Sequence, residues 1–186
     1  MGEPQIGNYL YFFKEFDMKK VIVLLLMVLF LNKYCFAAED KYFYESGQIV
    51  DGDIYGWVYL KNDGTVVNMT GGQIERVSLS DNSNFNMSGG KIIGYSINAF
   101  NESYFQISNG IIEISEFVLY GSGGKISGGN ISANRLKTTI DSLTQIENGI
   151  LNFNSFDIYG NMDIKGGTIN ISDFYTHYYS RMNIFA

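Results

Sequence analysis

Apolar and polar residues alternate along this chain in a short pattern that recurs at a nearly constant interval. Each copy has an apolar residue, a polar residue, a Gly-Gly or Asn-Gly pair, a variable residue, and then Ile or Leu. The glycine that ends the pair anchors each copy, and the six anchors are Gly72, Gly90, Gly110, Gly129, Gly149 and Gly167. Successive anchors are 18 to 20 residues apart. A constant period of this length predicts a repeat architecture.

Three apolar columns keep a fixed distance from the anchors, at three residues before, two after and seven after. The first column is Met69, Met87, Ile107, Ile126, Ile146 and Ile164; the second is Ile74, Ile92, Ile112, Ile131, Leu151 and Ile169; the third is Leu79, Ile97, Phe117, Leu136, Phe156 and Phe174. Polar residues between the columns indicate short strands with one face turned inwards. The pattern predicts an all-β parallel β-helix (β-solenoid) of about seven coils of 18–20 residues, with three short strands per coil.

The glycine pairs mark the sharp turn between the first and second predicted strands of each coil. Glycine adopts positive φ without a Cβ clash, and asparagine tolerates that conformation better than most residues. The alternative is a set of ordinary hairpin turns in an antiparallel protein. The constant spacing and the one-sided apolar columns favour the solenoid, with the six anchors as its structural turns.

A secretory signal is predicted ahead of the repeats, over residues 18–37. It has a basic start at Lys19 and Lys20, an apolar run from Val21 to Leu31, and small residues before the expected cleavage point. The apolar run is shorter than the about 20 residues that a membrane span needs. We expect a signal helix that is cleaved off, with residues 1–17 as an over-extended start. A retained signal anchor is the alternative.

Residues 38–63 are expected to form an opening coil or cap. Gly47 is a seventh, weaker anchor, because Tyr44, Ile49 and Ile54 stand three before, two after and seven after it. The step from Gly47 to the next anchor is longer than the others, and its extra residues form either an outer loop or a cap over the end of the core. We favour the cap, made by Trp57, Tyr55 and Tyr59.

Composition and charge narrow the range of partners. The full chain has 13 Lys and Arg residues against 19 Asp and Glu residues, and removal of residues 1–37 leaves 9 against 16. That acidity disfavours nucleic acid and anionic membrane surfaces, so we expect membrane contact only through the signal segment. Cys35, the one cysteine, leaves with the signal. A repeated ladder of strands can supply cohesion without disulfides.

No candidate active site emerges from the carboxylates. Solenoid enzymes need paired carboxylates on adjacent coils, yet no two neighbouring coils have acidic residues three after their anchors. His177, the one histidine, has no second histidine in the chain with which to form a zinc site. The oxygen-rich segments 51–53 and 81–84 lack the calcium-binding nonapeptide. We expect no catalytic residue, metal or cofactor; a solenoid carbohydrate-active enzyme, of lyase or hydrolase type, is the alternative.

Tyrosines outside the apolar columns are the candidate binding residues. Tyr120 and Tyr159 both stand ten residues after an anchor, two coils apart. Exposed tyrosines can stack on sugar rings or dock on a protein surface, although aromatic residues also favour β-surfaces for their own sake. We select Tyr120 and Tyr159 as contacts for a glycan or for a protein of a host or cell surface.

The leader and the glycine-anchored repeats together resemble the passenger regions of bacterial autotransporter adhesins. The resemblance rests on repeats such as Met87-Ser88-Gly89-Gly90 and Ile126-Ser127-Gly128-Gly129, and it covers residues 44–184. It implies a right-handed parallel β-helix displayed outside a bacterial cell. We expect a non-enzymatic, adhesin-like binding or structural module that is secreted or held at the cell surface. A non-functional fragment of a longer autotransporter-like gene is the alternative.

The repeats in residues 64–186 lead to one more expectation. Residues 182–184 repeat the pattern of residues 162–164 one period later, so a further coil begins there. We expect the repeats to be truncated at the C-terminus or, as the alternative, to self-associate through an uncapped edge, because an uncovered coil has unpaired N–H and C=O groups.

Overall fold

The computed structural model of the protein describes residues 38–185, and within that range every regular element is a β-strand. The strands are β1 (Glu39–Phe43), β2 (Gly47–Ile49), β3 (Ile54–Leu60), β4 (Val66–Met69), β5 (Gln73–Leu79), β6 (Asn84–Met87), β7 (Lys91–Phe100), β8 (Tyr104–Ile107), β9 (Ile111–Tyr120), β10 (Gly123–Ile126), β11 (Asn130–Thr138), β12 (Leu143–Ile146), β13 (Ile150–Ile158), β14 (Asn161–Ile164), β15 (Thr168–Thr176) and β16 (Arg181–Ile184). The predicted signal segment and the residues before it lie outside the described residues.

The strands form two parallel sheets that face each other across one core. The odd-numbered strands β1 to β15 make the long sheet, and the even-numbered strands β2 to β16 make the short sheet. Each strand pairs with the strand of the same sheet one coil away, so the chain winds as a solenoid. The predicted all-β parallel solenoid is therefore confirmed. It has eight turns within residues 38–185, rather than about seven.

Each coil has two strands rather than the predicted three, because the second and third predicted strands run together. The second and third apolar columns are five residues apart, a spacing that would point them to opposite faces of a regular strand. In β11 the two consecutive residues Asn134 and Arg135 both face outwards, and strand pairing skips Asn134. This bend shifts the alternation by one residue, so that both columns face the core.

The apolar columns stack as ladders through the core. Ile92, Ile112 and Ile131 are opposite one another on successive long strands and are fully buried. Two further inward columns were not predicted. The first lies two residues after the third column and consists of Leu60, Leu79, Ala99, Leu119, Thr138 and Ile158. The second lies five residues before each anchor and consists of Val67, Phe85, Phe105, Gly124, Thr144 and Met162.

The first coils are aligned differently from the prediction. Val77, rather than Leu79, lies opposite Ile97 in the third column. Gly47 lies opposite Val67 in the short sheet, and the positive-φ turn of this coil is at Gly52, where φ is 95°. The alignment of Gly47 with the other anchors was wrong, because the apolar residues around it belong to a different strand from the one assumed.

A shortened strand explains why the third column is displaced at Leu79. Between Ile74 and Arg76 the strand β5 has one residue, whereas the facing stretch of β7 has three residues, from Ile93 to Tyr95. Because β7 continues in register with β9, β5 is the strand that lacks two residues. Tyr95 lies at the bend of β7, faces outwards and is 58% exposed.

The six anchor glycines all have positive φ, between 76° and 118°. Gly90 shows a second reason for glycine at this turn. A Cβ there would lie 2.5 Å from the carbonyl oxygen of Gly71 and 2.6 Å from the Met69 side chain in the coil before. Glycine thus permits both the left-handed backbone and the close stacking of one turn on the next.

Side-chain amides continue the stacking outside the core. The Asn86 amide donates to the Asn68 side chain across 3.0 Å, and the Asn170 amide donates to that of Asn152 across 2.8 Å. Both bonds connect neighbouring coils, so the outward polar positions also form short ladders. Within residues 38–185 there is no helix that could cross a bilayer.

Candidate binding surface

The outer face of the long sheet has a column of aromatic side chains near the ends of its strands. Phe100 lies opposite Tyr120, with ring centroids 5.2 Å apart and planes within 2° of parallel. Two coils further on, the Tyr159 ring stacks on the His177 ring at 3.6 Å and 3°. Stacked rings along a sheet are stabilised by dispersion and by burial of the facing ring surfaces.

Thr139 separates these two stacked pairs. Thr138 lies opposite Leu119 on one side and Ile158 on the other, so the next residues, Tyr120, Thr139 and Tyr159, are neighbours across three strands. Adjacent strands are about 4.8 Å apart, which sets the two tyrosines about 10 Å apart. The Thr139 side chain between the two tyrosines extends much less far from the sheet than a tyrosine ring does.

We call this position the tyrosine slot, with Tyr120 and Tyr159 as its walls and Thr139 as its floor. The Thr139 hydroxyl accepts a hydrogen bond from the Gly121 N–H at 3.2 Å, which fixes the floor. A ring placed midway would lie about 5 Å from each wall, within the 4.5–7 Å range of stacked rings. The slot is therefore one missing rung in an aromatic ladder, wide enough for one ring.

Two carboxylates on the strands that flank the slot have side-chain partners. Asp157 lies 2.6 Å from Nε2 of His177, and Glu116 pairs with Arg135. Across residues 38–185, no group of three or more His, Cys, Asp or Glu side chains is arranged to hold a metal ion.

A carboxylate on the short sheet also serves to connect coils. Glu147 lies 2.8 Å from Lys125 and 3.8 Å from Lys165. The hydrogen bond from Lys125 is the main cause that lowers the pKa of Glu147. The small stability from this exposed pair is present above the ordinary glutamate pKa and is lost as pH falls through the lowered value.

A second aromatic group lies on the same outer face, toward β1. The Tyr59 ring stacks on Tyr42 at 4.6 Å and on Trp57 at 5.2 Å. The Arg76 guanidinium lies 4.4 Å from the Trp57 ring and 3.7 Å from the Tyr95 ring. We call these five residues the aromatic–arginine cluster. Burial is the main cause that raises the pKa of Tyr59, with Tyr42 and Asp40 adding to it, so this phenol stays neutral at physiological pH.

Of the three residues of the predicted cap, Tyr55 packs against the core, whereas Trp57 and Tyr59 do not. Trp57 and Tyr59 point away from the core on β3, while their neighbour Val58 is buried. Phe43 of β1 is also buried at this end of the core, where it packs over Gly47. The cluster has no periodic signal in the sequence, because Arg76 belongs to the shortened strand β5.

The other end of the solenoid, formed by β14, β15 and β16, has a concave apolar surface. Its lining is Ile164, Gly167, Ile169, Ile171, Phe174, Met182 and Ile184. Phe174 is 41% exposed and Ile184 is 67% exposed, although both continue columns that are buried in the middle coils. Self-association through this edge stays a prediction.

No protein-family model matches the chain, and neither does any curated protein or solved structure. The assignment of a binding surface therefore rests on the geometry of the aromatic column and of the aromatic–arginine cluster.

Proposed function

We propose that this protein is an exported, non-enzymatic β-solenoid that binds glycans outside the cell, in the manner of an adhesin. The tyrosine slot is the observation that carries the proposal. Tyr120 and Tyr159 stand two coils apart in one column, with the short Thr139 between them. A sugar ring has apolar C–H faces that pack on aromatic rings, and its hydroxyl groups can remain in water at the open side of the slot.

The surroundings of the slot suit binding rather than catalysis. Hydrolysis of a glycosidic bond uses two carboxyl groups that flank the bond, with one of them protonated. Asp157 and Glu116 are held by His177 and Arg135 instead. A carbohydrate-active enzyme remains the second candidate, and release of new reducing ends from a bound oligosaccharide would favour it.

Replacing both tyrosines with alanine is expected to weaken glycan binding about fivefold or more, since each lost ring contact contributes about 0.5–1.5 kcal/mol. A glycan array would identify ligands of the unchanged protein, and titration calorimetry would compare the variants with it. Tyr178→Ala is the matched control, because Tyr178 is 92% exposed and lies outside the slot.

Two results would count against this assignment. The first is an absence of glycan binding by the unchanged protein. The second is equal affinity in the Tyr120→Ala, Tyr159→Ala double variant and in the Tyr178→Ala control. Circular dichroism of each variant should show the unchanged β-sheet spectrum, because the slot lies outside the core.

A further inference from the structure

The guanidinium of Arg76 lies against aromatic rings rather than in an ion pair within residues 38–185. Its guanidinium is sandwiched between the Trp57 and Tyr95 rings. None of the ion pairs formed among residues 38–185 includes Arg76, and its Nε is buried without a hydrogen-bond acceptor. Stacking engages the two faces of a guanidinium and leaves its in-plane N–H donors available at the edge.

A second arginine in the same outward column, Arg135, has an acidic partner. Arg135 lies opposite Glu116 on the next strand and pairs with its carboxylate. Arg76 lies opposite Trp57 and Ser96 instead. The two arginines thus have equivalent places on the sheet but different neighbours, an acid for one and aromatic rings for the other.

The unequal lengths of β5 and β7 build one wall of the Arg76 site. Ile74 lies opposite Ile92 and Arg76 lies opposite Ser96, so the two residues that β5 lacks fall between these pairs, beside Tyr95. Tyr95 remains 58% exposed even though it covers the guanidinium. Irregular pairing of this kind is frequent beside binding sites because it redirects side chains.

We propose that the aromatic–arginine cluster binds the carboxylate of an acidic saccharide. Arg76 donates to the carboxylate through its Nη groups, because its Nε is buried, and a planar guanidinium can form two parallel N–H···O bonds. The stacked rings on both sides prevent the guanidinium from turning away. The hydroxyl groups of Tyr42, Tyr59 and Tyr95 are the hydrogen-bonding groups of the cluster that suit the neighbouring sugar hydroxyls.

This inference rests on the proposed glycan binding, and it specifies in addition that the glycan carries a negative charge. The cluster and the tyrosine slot are on the same outer face of the long sheet, on strands β1 to β7 and at the ends of strands β9 to β13 respectively. They use different residues, so they can be tested separately.

The test uses two matched pairs of probes, sialyllactose with lactose and tri-galacturonate with its neutral galactose counterpart. Trp57 is the only tryptophan in the chain and touches Arg76, so its fluorescence reports binding at this site directly. We expect both acidic probes to change Trp57 fluorescence with a salt-dependent affinity. Their neutral partners should bind at least about tenfold more weakly at this site.

Three variants separate binding from structure. Arg76→Gln is expected to lower the affinity for the acidic probes at least about tenfold, and Arg76→Lys is expected to restore only part of it. Arg135→Gln removes an arginine from the same column and should leave the affinity unchanged. Thermal unfolding of each variant shows whether the fold is retained, and the fluorescence titration is interpreted only at temperatures below unfolding.

The outcomes distinguish the two proposals. If acidic probes bind no better than neutral ones, or if Arg76→Gln binds them as the unchanged protein does, the Arg76 site is overturned while the tyrosine slot stands. If neutral glycans depend on Tyr120 and Tyr159 and acidic ones also depend on Arg76, both are supported. A sulfated trisaccharide serves as a further probe. If it binds as tightly as the acidic probes and its binding depends on Arg76, the site recognises negative charge rather than a carboxylate, and the carboxylate assignment is overturned. Failure of every probe to change Trp57 fluorescence overturns the Arg76 site, whereas the tyrosine slot is overturned only by an absence of glycan binding in the array and in calorimetry.

Discussion

An Ile112→Asp variant is expected not to fold, because the change places a carboxylate in the centre of the core. Ile112 is fully buried, between Ile92 and Ile131 in the second apolar ladder. A buried charge without a partner costs several kcal/mol, an amount comparable to the whole stability of a domain of this size. We expect loss of the β-sheet signal in circular dichroism and recovery of the protein mainly as insoluble material.

The adjacent position supplies the control. Glu113 follows Ile112 on β9 and is exposed, so Glu113→Lys should change the unfolding free energy by less than about 0.5 kcal/mol. The two substitutions alter neighbouring residues of one strand and differ chiefly in the face of the sheet that they occupy. Similar yields and melting temperatures for both variants would refute the inward assignment of Ile112.

The second large effect is expected where Phe105 meets Gly124. Both belong to the inward column that lies five residues before the anchors, on neighbouring strands of the short sheet. A Cβ at Gly124 would overlap Cε1 and Cζ of the Phe105 ring. Phe105 is fully buried and also packs on Phe117, with centroids 4.6 Å apart. The Phe105 ring thus fills the space that a side chain larger than glycine would occupy at position 124 in the next coil.

The pair should show strong coupling in a double-mutant cycle. Phe105→Ala is expected to cost about 3–5 kcal/mol through loss of burial and the cavity left behind. Gly124→Ala alone should cost about 1–3 kcal/mol, because the added methyl group forces the ring to move. In the Phe105→Ala background the same glycine substitution should be neutral or stabilising. Denaturant unfolding of the four proteins measures the coupling, and additive effects would show that the two residues do not share this space.

The ladders in the middle of the solenoid could be predicted because one requirement, the burial of equivalent positions in successive coils, repeats with every coil. Each coil must bury the same positions against the coil before it, so Met87, Ile92 and Ile97 each have a counterpart one period later, in Ile107, Ile112 and Phe117. The turn glycines follow from the same requirement. Such features repeat, and counting from one copy to the next finds them.

Two features could not be predicted from the spacing. The bend at Asn134 and Arg135 recurs at the same place in β7, β9, β13 and β15, but a pattern of apolar residues cannot distinguish a bend from a short loop. The shortening of β5 by two residues occurs once and displaces Leu79 from the third column. Near the start of the chain, an apolar residue such as Ile49 fits more than one column, so the position of Gly47 was misassigned.

The candidate sites divide in the same way. Tyr120 and Tyr159 could be placed in one column from their equal distance to the anchors. The interruption of the aromatic column at Thr139 could be recognised only from the strand pairing. The Arg76 cluster was missed altogether, because an arginine in a surface position is ordinary until Trp57 and Tyr95 are seen against its two faces.

The strict coil-on-coil pairing has a consequence for how such a chain can change over generations. Every strand pairs only with strands of the adjacent coils, so duplication or deletion of one complete repeat leaves each remaining ladder in phase. A gain or loss of one or two residues must instead be accommodated locally, as in β5 between Ile74 and Arg76. Whole repeats are therefore the units by which the aromatic face can lengthen, at about 4.8 Å for each coil gained. Local changes of strand length are the places where a new side-chain arrangement can arise, while the neighbouring coils stay the same.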